Sequence, residues 1–339
     1  MMETETLTLQ QIEDIAFDAL IAVGTSEENA RPLAVATAAT EADGVASHGL
    51  AYIPIYCEHV ICGKVDGKAK PALSQPRPSV LRVDAATGFA HAAIDQGFQR
   101  LMPLAREQGV AVLAIHNSYN CGVLGYHTKR LALDGLVGIG FTNAPASIAP
   151  SGGAKPVVGT NPFSIAVPGD DGEPALLIDQ SASTIAKSEV MKHAREGKAI
   201  PVGWALDSEG NDTTDPDVGL KGSMAPSGGY KGVGVAMLVE VMAAALSGGQ
   251  LGIHASPFSG PVGGPPRTGQ FFIAIDPNTT SDGAFGTRMA DLVQAVCSQE
   301  GAHLPGDGRR GHRQKAKRTG VAVNKATLAK IEDVVKTQT

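Results

Sequence analysis

A hydroxyl, an imidazole and a glycine stand side by side at Ser47-His48-Gly49. Histidine has an unperturbed pKa of roughly 6.5, so it can give or accept a proton near neutral pH. A neighbouring hydroxyl can fix its tautomer, and two phenols, Tyr52 and Tyr56, follow four residues apart. These residue types are compatible with a proton-transfer site in which Ser47 would orient His48, but the spacing alone does not establish one. A helix-terminal histidine that only caps backbone carbonyls is the alternative that the spacing leaves open.

A second candidate site is Gly229-Tyr230-Lys231-Gly232, which has the form of a phosphate-binding turn leading into a helix. Free amides, the helix dipole and one lysine would meet an anion there. An ordinary glycine-rich loop fits the same residues. The chain has no G-x-G-x-x-G between a first strand and a helix, so a Rossmann dinucleotide site is not indicated.

The four cysteines, Cys57, Cys62, Cys121 and Cys297, are too few and too scattered for a disulfide framework in a chain of this length, so we expect reduced thiols. Cys57, His59 and Cys62 are close in sequence. On a helix, however, their side chains point in different directions and do not converge on one ion. No metal site is predicted.

Composition limits the class of protein. With 339 residues, 43% hydrophobic and 18% charged, the chain is long and apolar enough for a sizeable globular core. Its net charge of -6 argues against nucleic-acid binding, and its 41 glycines suit a ligand-binding α/β protein. No segment reaches the roughly 18 apolar residues of a membrane span, and the acidic N-terminus is unlike a signal peptide. We expect a cytoplasmic protein that acts on a small molecule and binds neither nucleic acid nor membrane.

Hydrophobic periodicity predicts helices first and an α/β region afterwards. A T-x-x-E capping box at 25–28 is expected to start the helix that ends near Ala42, just before Ser47, and the stretch 63–79 is predicted to be a connector. Helices are predicted near 8–22, 26–42, 52–62, 92–107, 123–134, 233–246, 284–299 and 325–337. Strands are predicted near 80–83, 110–115, 136–141, 163–167, 176–178 and 271–275, which together indicate an α/β core with a mixed sheet.

Two further charged features have structural interpretations. The basic run from Arg309 to Arg318 is interpreted as a solvated charged face in preference to a phosphate site. Glu240, inside an apolar helix, is interpreted as a satisfied structural carboxylate and not as a catalytic one.

Several motifs in order along the chain give a resemblance to a known family. They are SHGLAYIPIY (47–56), GKVDG (63–67), NSYNCGVLGY (117–126), TNAPASIAPSGG (142–153), GTNPFSIAVP (159–168), SGGYKGVGVAMLVEVM (227–242) and HLPGD (303–307). Together they resemble the malate/L-lactate dehydrogenase family, which is unrelated to the Rossmann-type lactate dehydrogenases. The resemblance implies a non-Rossmann nicotinamide-binding α/β fold. Its mixed-sheet NAD(P)-binding core would be 76–284, and a helical substrate and dimer domain would be built from 1–75 and 285–339.

The same resemblance implies a set of cofactor-binding residues and a homodimer. NADPH is the expected cofactor, with NADH possible. The residues carried over are Asn120, Cys121, Gly122, Val123, Leu124, Thr160, Ser181, Ala182, Ser183, Lys231, Gly232, His303, Leu304, Pro305 and Gly306. Thr160 and the serines are polar groups at predicted strand ends, where ligands of open sheets tend to lie.

The chemistry that the resemblance implies is hydride transfer to a C=N or C=O carbon beside a carboxylate. A carboxylate should hold the protonated His48, as a buried acid does in hydrolase triads. Ser188-Glu189 resembles the branch that reduces cyclic imines, Δ1-pyrroline-2-carboxylate and Δ1-piperideine-2-carboxylate, to proline and pipecolate. Glu189 is therefore the predicted relay acid, and Asp179 is the reserve.

The sequence departs from the family pattern at two places. Tyr52 stands where most members carry an arginine that would hold the substrate carboxylate, and a phenol offers one neutral donor instead of a cationic fork. Asn120 stands where a histidine is usual. The first alternative is therefore a 2-oxo-acid/2-hydroxy-acid dehydrogenase of the malate, lactate, ureidoglycolate or diketogulonate type. A catalytically idle nucleotide-binding relative is the second.

Overall fold

The structure, a computed structural model, describes residues 3–169 and 171–337. Its strands are β1 (Thr4–Leu7), β2 (Ala72–Arg77), β3 (Val80–Asp84), β4 (Val110–Ser118), β5 (Val137–Thr142), β6 (Phe163–Val167), β7 (Leu176–Gln180), β8 (Ala205–Leu206), β9 (Asp212–Thr213), β10 (Ser223–Met224), β11 (Thr268–Ile275) and β12 (Val321–Asn324).

The helices surround these strands. They are α1 (Leu9–Ala22), α2 (Glu27–Ala42), α3 (Ile53–Ile61), α4 (Ala90–Gln108), α5 (Leu124–Leu133), α6 (Lys187–Glu196), α7 (Pro216–Lys221), α8 (Tyr230–Glu240), α9 (Pro277–Ser281), α10 (Phe285–Cys297), α11 (Asp307–Thr319) and α12 (Lys325–Lys336). Two 3₁₀ turns, Ala46–His48 and Leu50–Tyr52, separate α2 from α3, and a π turn, Val241–Ala245, extends α8.

A seven-stranded mixed sheet forms the centre of the molecule, in the order β2-β3-β4-β11-β5-β6-β7. Only the β3–β4 pair is parallel, and every other neighbouring pair in this sheet is antiparallel. The late strand β11 lies between β4 and β5, with Phe272 packed toward α4 on one face and Phe271 in a second cluster. The predicted α/β class with a mixed sheet is confirmed.

The N-terminal and C-terminal segments share one apolar core. Strand β1 pairs antiparallel with β12, so that Thr4 lies opposite Asn324. Ile12, Leu33 and Ile53 from α1 to α3 cluster there with Ile331 of α12. This packing carries the turns that hold Ser47 and His48 on a rigid helical support.

Two local predictions are wrong, each for a physical reason. The T-x-x-E box at 25–28 does not form, because α2 begins at Glu27 and its N-cap is Ser26, which makes no side-chain capping bond. A capping box is found instead at the start of α1, between Thr8 and Gln11. The stretch 63–79 is not only a connector, since it contains the edge strand β2. All six residues of β2 are exposed, so no apolar alternation marked it.

Within the described part of the chain, every helix is too short or too polar to span a bilayer. The same residues contain no group of three or more His, Cys, Asp or Glu side chains arranged to bind a metal ion.

Gly269, in the central strand β11, tests how tightly the π turn packs on the sheet. A Cβ added at Gly269 would lie 1.9 Å from the carbonyl oxygen of Ala243, so backbone must move to accommodate it. We expect Gly269→Ala to lower the free energy of unfolding by about 3 kcal/mol or more, measured by urea denaturation. Gly286→Ala is the control, because its Cβ would enter open space, and it should change stability by less than about 1 kcal/mol. Equal effects of the two substitutions would contradict this packing.

Candidate active site

The turn that presents His48 is built on a buried carboxylate. Glu41, in the last turn of α2, accepts a hydrogen bond from the Leu50 amide at 2.8 Å, and burial raises its pKa. Position 49 must be glycine for Glu41 to reach the Leu50 amide, because a Cβ at Gly49 would lie 2.2 Å from Glu41 Oε1. Ser47 Oγ lies 3.0 Å from His48 Nδ1, which leaves Nε2 as the other ring nitrogen for a ligand.

Three influences act on the imidazole. Burial is the largest, and it lowers the pKa of His48; the charge of Asp179 raises that pKa and the charge of Arg309 lowers it. The His48 ring also lies parallel to the ring of Tyr52, with centroids 5.8 Å apart. The group is therefore a partly desolvated base whose proton affinity depends on one nearby ion pair.

That ion pair joins β7 to α11. Asp179 Oδ2 accepts from Arg309 Nη1 at 2.7 Å, and the Asp179 side chain is largely buried. The start of α5 lies against the pair, because a Cβ at Gly125 would be 2.7 Å from Asp179 Oδ2 and 2.9 Å from Arg309 Nη1. Asp179, the reserve acid of the sequence prediction, thus acts electrostatically on His48.

Glu189, the predicted relay acid, has a different partner. It lies in the first turn of α6, and its carboxylate pairs with Lys192 at 3.5 Å, one helical turn along. Its side chain is about one-third exposed, whereas that of Asp179 is nearly buried. In this structure the carboxylate that influences the pKa of His48 is Asp179 and not Glu189.

Aromatic rings line one side of His48. Tyr52 packs edge-on against Tyr56 with centroids 4.7 Å apart, and its hydroxyl donates to the Phe258 carbonyl at 3.4 Å. Asn120 Nδ2 is 3.5 Å from the same hydroxyl. Burial raises the pKa of Tyr52 to about 12, so the phenol stays neutral. At the position of the usual arginine the chain offers an apolar ring with one neutral polar tip.

The loop before α5 contains the first group of predicted cofactor residues. Asn120 Oδ1 accepts from the Gly122 amide at 2.6 Å, and Gly122 adopts a φ of +67°. The Cys121 carbonyl accepts from His127 Nε2 at 2.9 Å, and burial raises the pKa of the Cys121 thiol to about 12. Val123 and Leu124 are buried at the start of α5. Through Asn120 this loop contacts the Tyr52 side of the His48 site.

A second group of predicted residues lies beyond the end of β7. The Ala182 amide donates to the Thr160 carbonyl at 2.8 Å, and the Ser227 amide donates to the Ala182 carbonyl at 2.8 Å. Ser181 and Ser183 exchange a hydroxyl contact of 3.0 Å. The 181–183 segment therefore lies directly between Thr160 and the turn that leads into α8.

That turn contains the predicted phosphate-binding residues. Gly228 and Gly229 have positive φ, and nothing lies within 4 Å of where their Cβ atoms would be. Lys231 is exposed in the first turn of α8. Gly232 is packed against Ser227, because a Cβ added at Gly232 would lie 2.3 Å from the Ser227 carbonyl oxygen. An open surface with helix amides, hydroxyls and one lysine fits an anionic nucleotide group.

The loop before α11 contains the last predicted group. His303 and Pro305 are exposed and Leu304 and Gly306 are partly buried. The Leu177 amide of β7 donates to the Pro305 carbonyl at 2.9 Å. Strand β7 thus contacts this loop, carries Asp179 to the His48 site and runs into the 181–183 segment.

The interpretation of the basic run from Arg309 as a solvated charged face is wrong for two of its members, Arg309 and Arg313, whereas Lys315, Lys317 and Arg318 are exposed. Arg309 is paired with Asp179, and Arg313 is only 7% exposed. Their i, i+4 spacing put both on one face of α11, which is the signal that would have found them. Glu240 is confirmed as a structural carboxylate, since it accepts from Asn161 Nδ2 at 2.7 Å and from the Gly252 amide at 2.6 Å.

Comparison with known proteins agrees with this architecture. The family model for malate/L-lactate dehydrogenase matches residues 7–332. The chain is 43% identical over 309 residues to (2R)-3-sulfolactate dehydrogenase (NADP(+)) of Chromohalobacter salexigens, covering 91% of this chain and 92% of that protein. It is 37% identical over 335 residues to Δ1-pyrroline-2-carboxylate reductase of Ancylobacter novellus, covering 98% of both.

Among solved structures, Δ1-piperideine-2-carboxylate reductase of Pseudomonas syringae superposes with a TM-score of 0.92 at 34% identity, covering 98% of this chain and 100% of that one. The mixed sheet and the half-buried His48 thus occur in a chain whose relatives are nicotinamide-dependent oxidoreductases, and this protein is an oxidoreductase of that class. The chain belongs to the malate/L-lactate dehydrogenase family, as its motifs indicated.

Proposed function

We propose that this protein reduces a cyclic imino acid, Δ1-pyrroline-2-carboxylate or Δ1-piperideine-2-carboxylate, to proline or pipecolate. The observation that carries the proposal is the aromatic side of the site, where the Tyr52 ring lies parallel to His48 and edge-on to Tyr56. Such a wall suits a five- or six-membered ring. Arg309 is the cation whose charge reaches His48, and it is already paired with Asp179. It is therefore not a free partner for a second anionic group on a substrate. The names of the two imine-reducing relatives support the same substrate class.

The residues divide the reaction between them. A bound reduced nicotinamide supplies the hydride, which goes to the C=N carbon. Protonated His48 gives its Nε2 proton to the ring nitrogen, so that C=N becomes CH–NH. Ser47, 3.0 Å from Nδ1, fixes the orientation of the ring. Such a positioned acid contributes about 10²- to 10⁴-fold to the rate.

We propose Asp179 as the acid that stabilises protonated His48. It is supported by the rise that its charge produces in the pKa of His48. Glu189 stays the alternative from the sequence, and the two acids can be separated by experiment.

We propose NADPH as the cofactor, with NADH as the weaker partner. Three segments would hold the nucleotide: the Asn120–Leu124 loop, the strip formed by Thr160, 181–183 and 231–232, and the 303–306 loop. Lys231 beside two open glycines is the group suited to a phosphate. The cofactor in the name of the Chromohalobacter relative supports NADP.

A second candidate function is a 2-hydroxy-acid dehydrogenase of the sulfolactate type. It is favoured by the 43% identity to that relative. The same residues would serve, with the hydride going to a C=O carbon and the His48 proton to its oxygen. A catalytically idle relative would bind nucleotide and turn over neither class.

The first experiment follows oxidation of NADPH and NADH by absorbance. Purified protein is offered Δ1-pyrroline-2-carboxylate, Δ1-piperideine-2-carboxylate, pyruvate, oxaloacetate and 3-sulfopyruvate in parallel. We expect kcat/KM for the imines to exceed that for the oxo acids by about 100-fold or more, since the site offers aromatic rings beside His48 and the cation whose charge reaches that histidine, Arg309, is already paired with Asp179. A preference for 3-sulfopyruvate would replace the proposal by the second candidate. Turnover of none of them, with nucleotide bound, would identify an idle relative.

The second experiment measures the pH dependence of the reduction. His48→Ala should lower kcat by about 100-fold or more. In the wild type, kcat should fall as pH rises through the pKa of His48, because the donor must be protonated. Asp179→Asn removes a charge that raises this pKa, so the fall should move to lower pH. Glu189→Gln is the matched control and should leave it in place. The reverse pattern would make Glu189 the acid.

We also propose a homodimer that forms through α8. Tyr230 and Met237 of α8 fall on one side by their spacing together with Val241, the first residue of the π turn that extends α8, and all three are about half exposed or more. An apolar stripe of this kind on a soluble enzyme marks a contact surface. The assignment of 1–75 and 285–339 to substrate and dimer contacts, and a cytoplasmic location, stay predictions from the sequence.

Sedimentation velocity tests the dimer. We expect the wild type to sediment as a dimer and Val241→Glu to shift it toward monomer, since a charge in a buried apolar contact is costly. Leu133→Glu, at a leucine about half exposed at the end of α5 and outside both α8 and the segments 1–75 and 285–339, is the control and should stay dimeric. A monomeric wild type, or dissociation of both variants, would contradict the assignment of α8.

A further inference from the structure

A buried ion cluster lies behind the active site, at the second turn of α11. Arg313 Nη1 donates to Asp43 Oδ1 at 2.8 Å, and Arg313 Nη2 donates to Glu173 Oε2 at 2.6 Å. Lys129 of α5 reaches the same Asp43 oxygen at 3.6 Å. Asp43 is 3% exposed and Arg313 7%, so these charges are nearly shielded from solvent. A planar guanidinium that bridges two carboxylates holds both of them in fixed directions.

One arm of the cluster leads directly to His48. Asp43 is the residue at which α2 ends, and the 3₁₀ turn of His48 begins three residues later. Gly44, between Asp43 and this turn, packs against His312 of α11: a Cβ added at Gly44 would lie 3.0 Å from the His312 ring. Helix α11 is therefore anchored to the base of the His48 turn.

The other end of α11 leads to Asp179. Arg309, one turn before Arg313, pairs with Asp179 at 2.7 Å, and the preceding loop is bonded to β7 through Pro305. One helix thus holds both sides of the interaction between the histidine and its acid. The active-site chemistry described above assigns no role to Arg313.

We propose that Arg313 is a positioning residue of the reaction, which through Asp43 and Glu173 sets how far the Asp179–Arg309 pair lies from His48. The proposal rests on the proposed function in one respect, that His48 is the proton donor. It identifies α11 as the element that fixes the proton affinity of that donor.

The direction of the effect follows from the groups that face His48. These are Asp179 from β7, Arg309 from α11, the neutral Tyr52 beside it and the Glu41 carboxyl from α2, which is bonded to Leu50. Arg309 opposes the effect of Asp179 on the pKa of His48. If the cluster breaks and α11 is no longer anchored, the Arg309 charge is held less firmly beside Asp179 and opposes the effect of Asp179 on His48 less. The pKa of His48 must then rise, and the fall of kcat must move to higher pH.

The experiment titrates His48 in the nucleotide-free protein by NMR, with its ring signal assigned from His48→Ala, and repeats the pH profile of kcat. Arg313→Gln breaks both arms of the cluster. Arg313→Lys keeps the charge and loses the fork, and Glu173→Gln weakens one arm if Arg313→Gln does not fold. Arg310→Gln is the matched control, since it removes the same charge three residues earlier in α11 and breaks a pair with the exposed Asp171.

We expect the pKa of His48 to rise by about half a unit or more in Arg313→Gln or Glu173→Gln, less in Arg313→Lys, and not in Arg310→Gln. In Arg313→Gln the fall of kcat should move to higher pH by the same amount, with KM changed little. If Arg313→Gln lowers thermal stability but leaves the pKa of His48 unchanged, Arg313 is only a structural residue and the proposal is overturned. An equal shift in the pKa of His48 in Arg310→Gln would also overturn it. Turnover that survives His48→Ala would instead defeat the proposed function, and the NMR titration separates the two failures.

Discussion

The active site depends on the ion pair between Asp179 and Arg309. Taking two charges out of water is costly, and the cost is recovered only where geometry and further contacts are good. Here the pair is closed on one side by the start of α5, where Gly125 leaves no room for a side chain. The position of the pair at the end of β7 brings three distant parts of the sequence together: the His48 turn, the loop before α5 and the loop before α11.

Strand β7 connects the two groups of residues that make up the site. Asp179 and Ser181 are two residues apart, yet they belong to the two different groups of residues that the site combines. The charge of Asp179 raises the pKa of His48, whereas the segment from Ser181 bonds to Thr160 and to the turn before α8. A small shift in the register of β7 would therefore move Asp179 and the 181–183 segment together, and the hydrogen bond from the Leu177 amide to the Pro305 carbonyl helps to fix this edge strand.

Much of the fold could be predicted from the sequence because its elements carry strong local signals. Apolar runs marked β4, β5, β6 and β11, and the helical period marked α1, α4 and α12. Strand β2 gave no signal, because an exposed edge strand has no buried face to alternate with. The position of β11 in the sheet could not be predicted either. This strand, 268–275, pairs with β4 and β5 from much earlier in the chain, and no local pattern encodes such a long-range pairing.

Some residues of the site could likewise be predicted from the sequence, and others could not. Ser47, His48 and the glycine-rich turn at 229–232 were visible by residue type and spacing. The acid that acts on His48 was not, because choosing between Asp179 and Glu189 requires knowing which helix supplies a cation and which carboxylate is buried. Arg309 and Arg313 were hidden in a run of basic residues that composition alone assigns to solvent, although their spacing puts them on one helical face.

The cysteines have a practical consequence. Cys57 and Cys121 are buried, and burial raises the pKa of each thiol to about 12, so neither forms the reactive thiolate at neutral pH. Cys62 and Cys297 are exposed. Thiol reagents should therefore modify the surface and leave the loop at Cys121 untouched. The protein offers two natural attachment points for fluorescent or spin labels, one at the end of α3 and one at the end of α10, without the need to remove a cysteine from the active site.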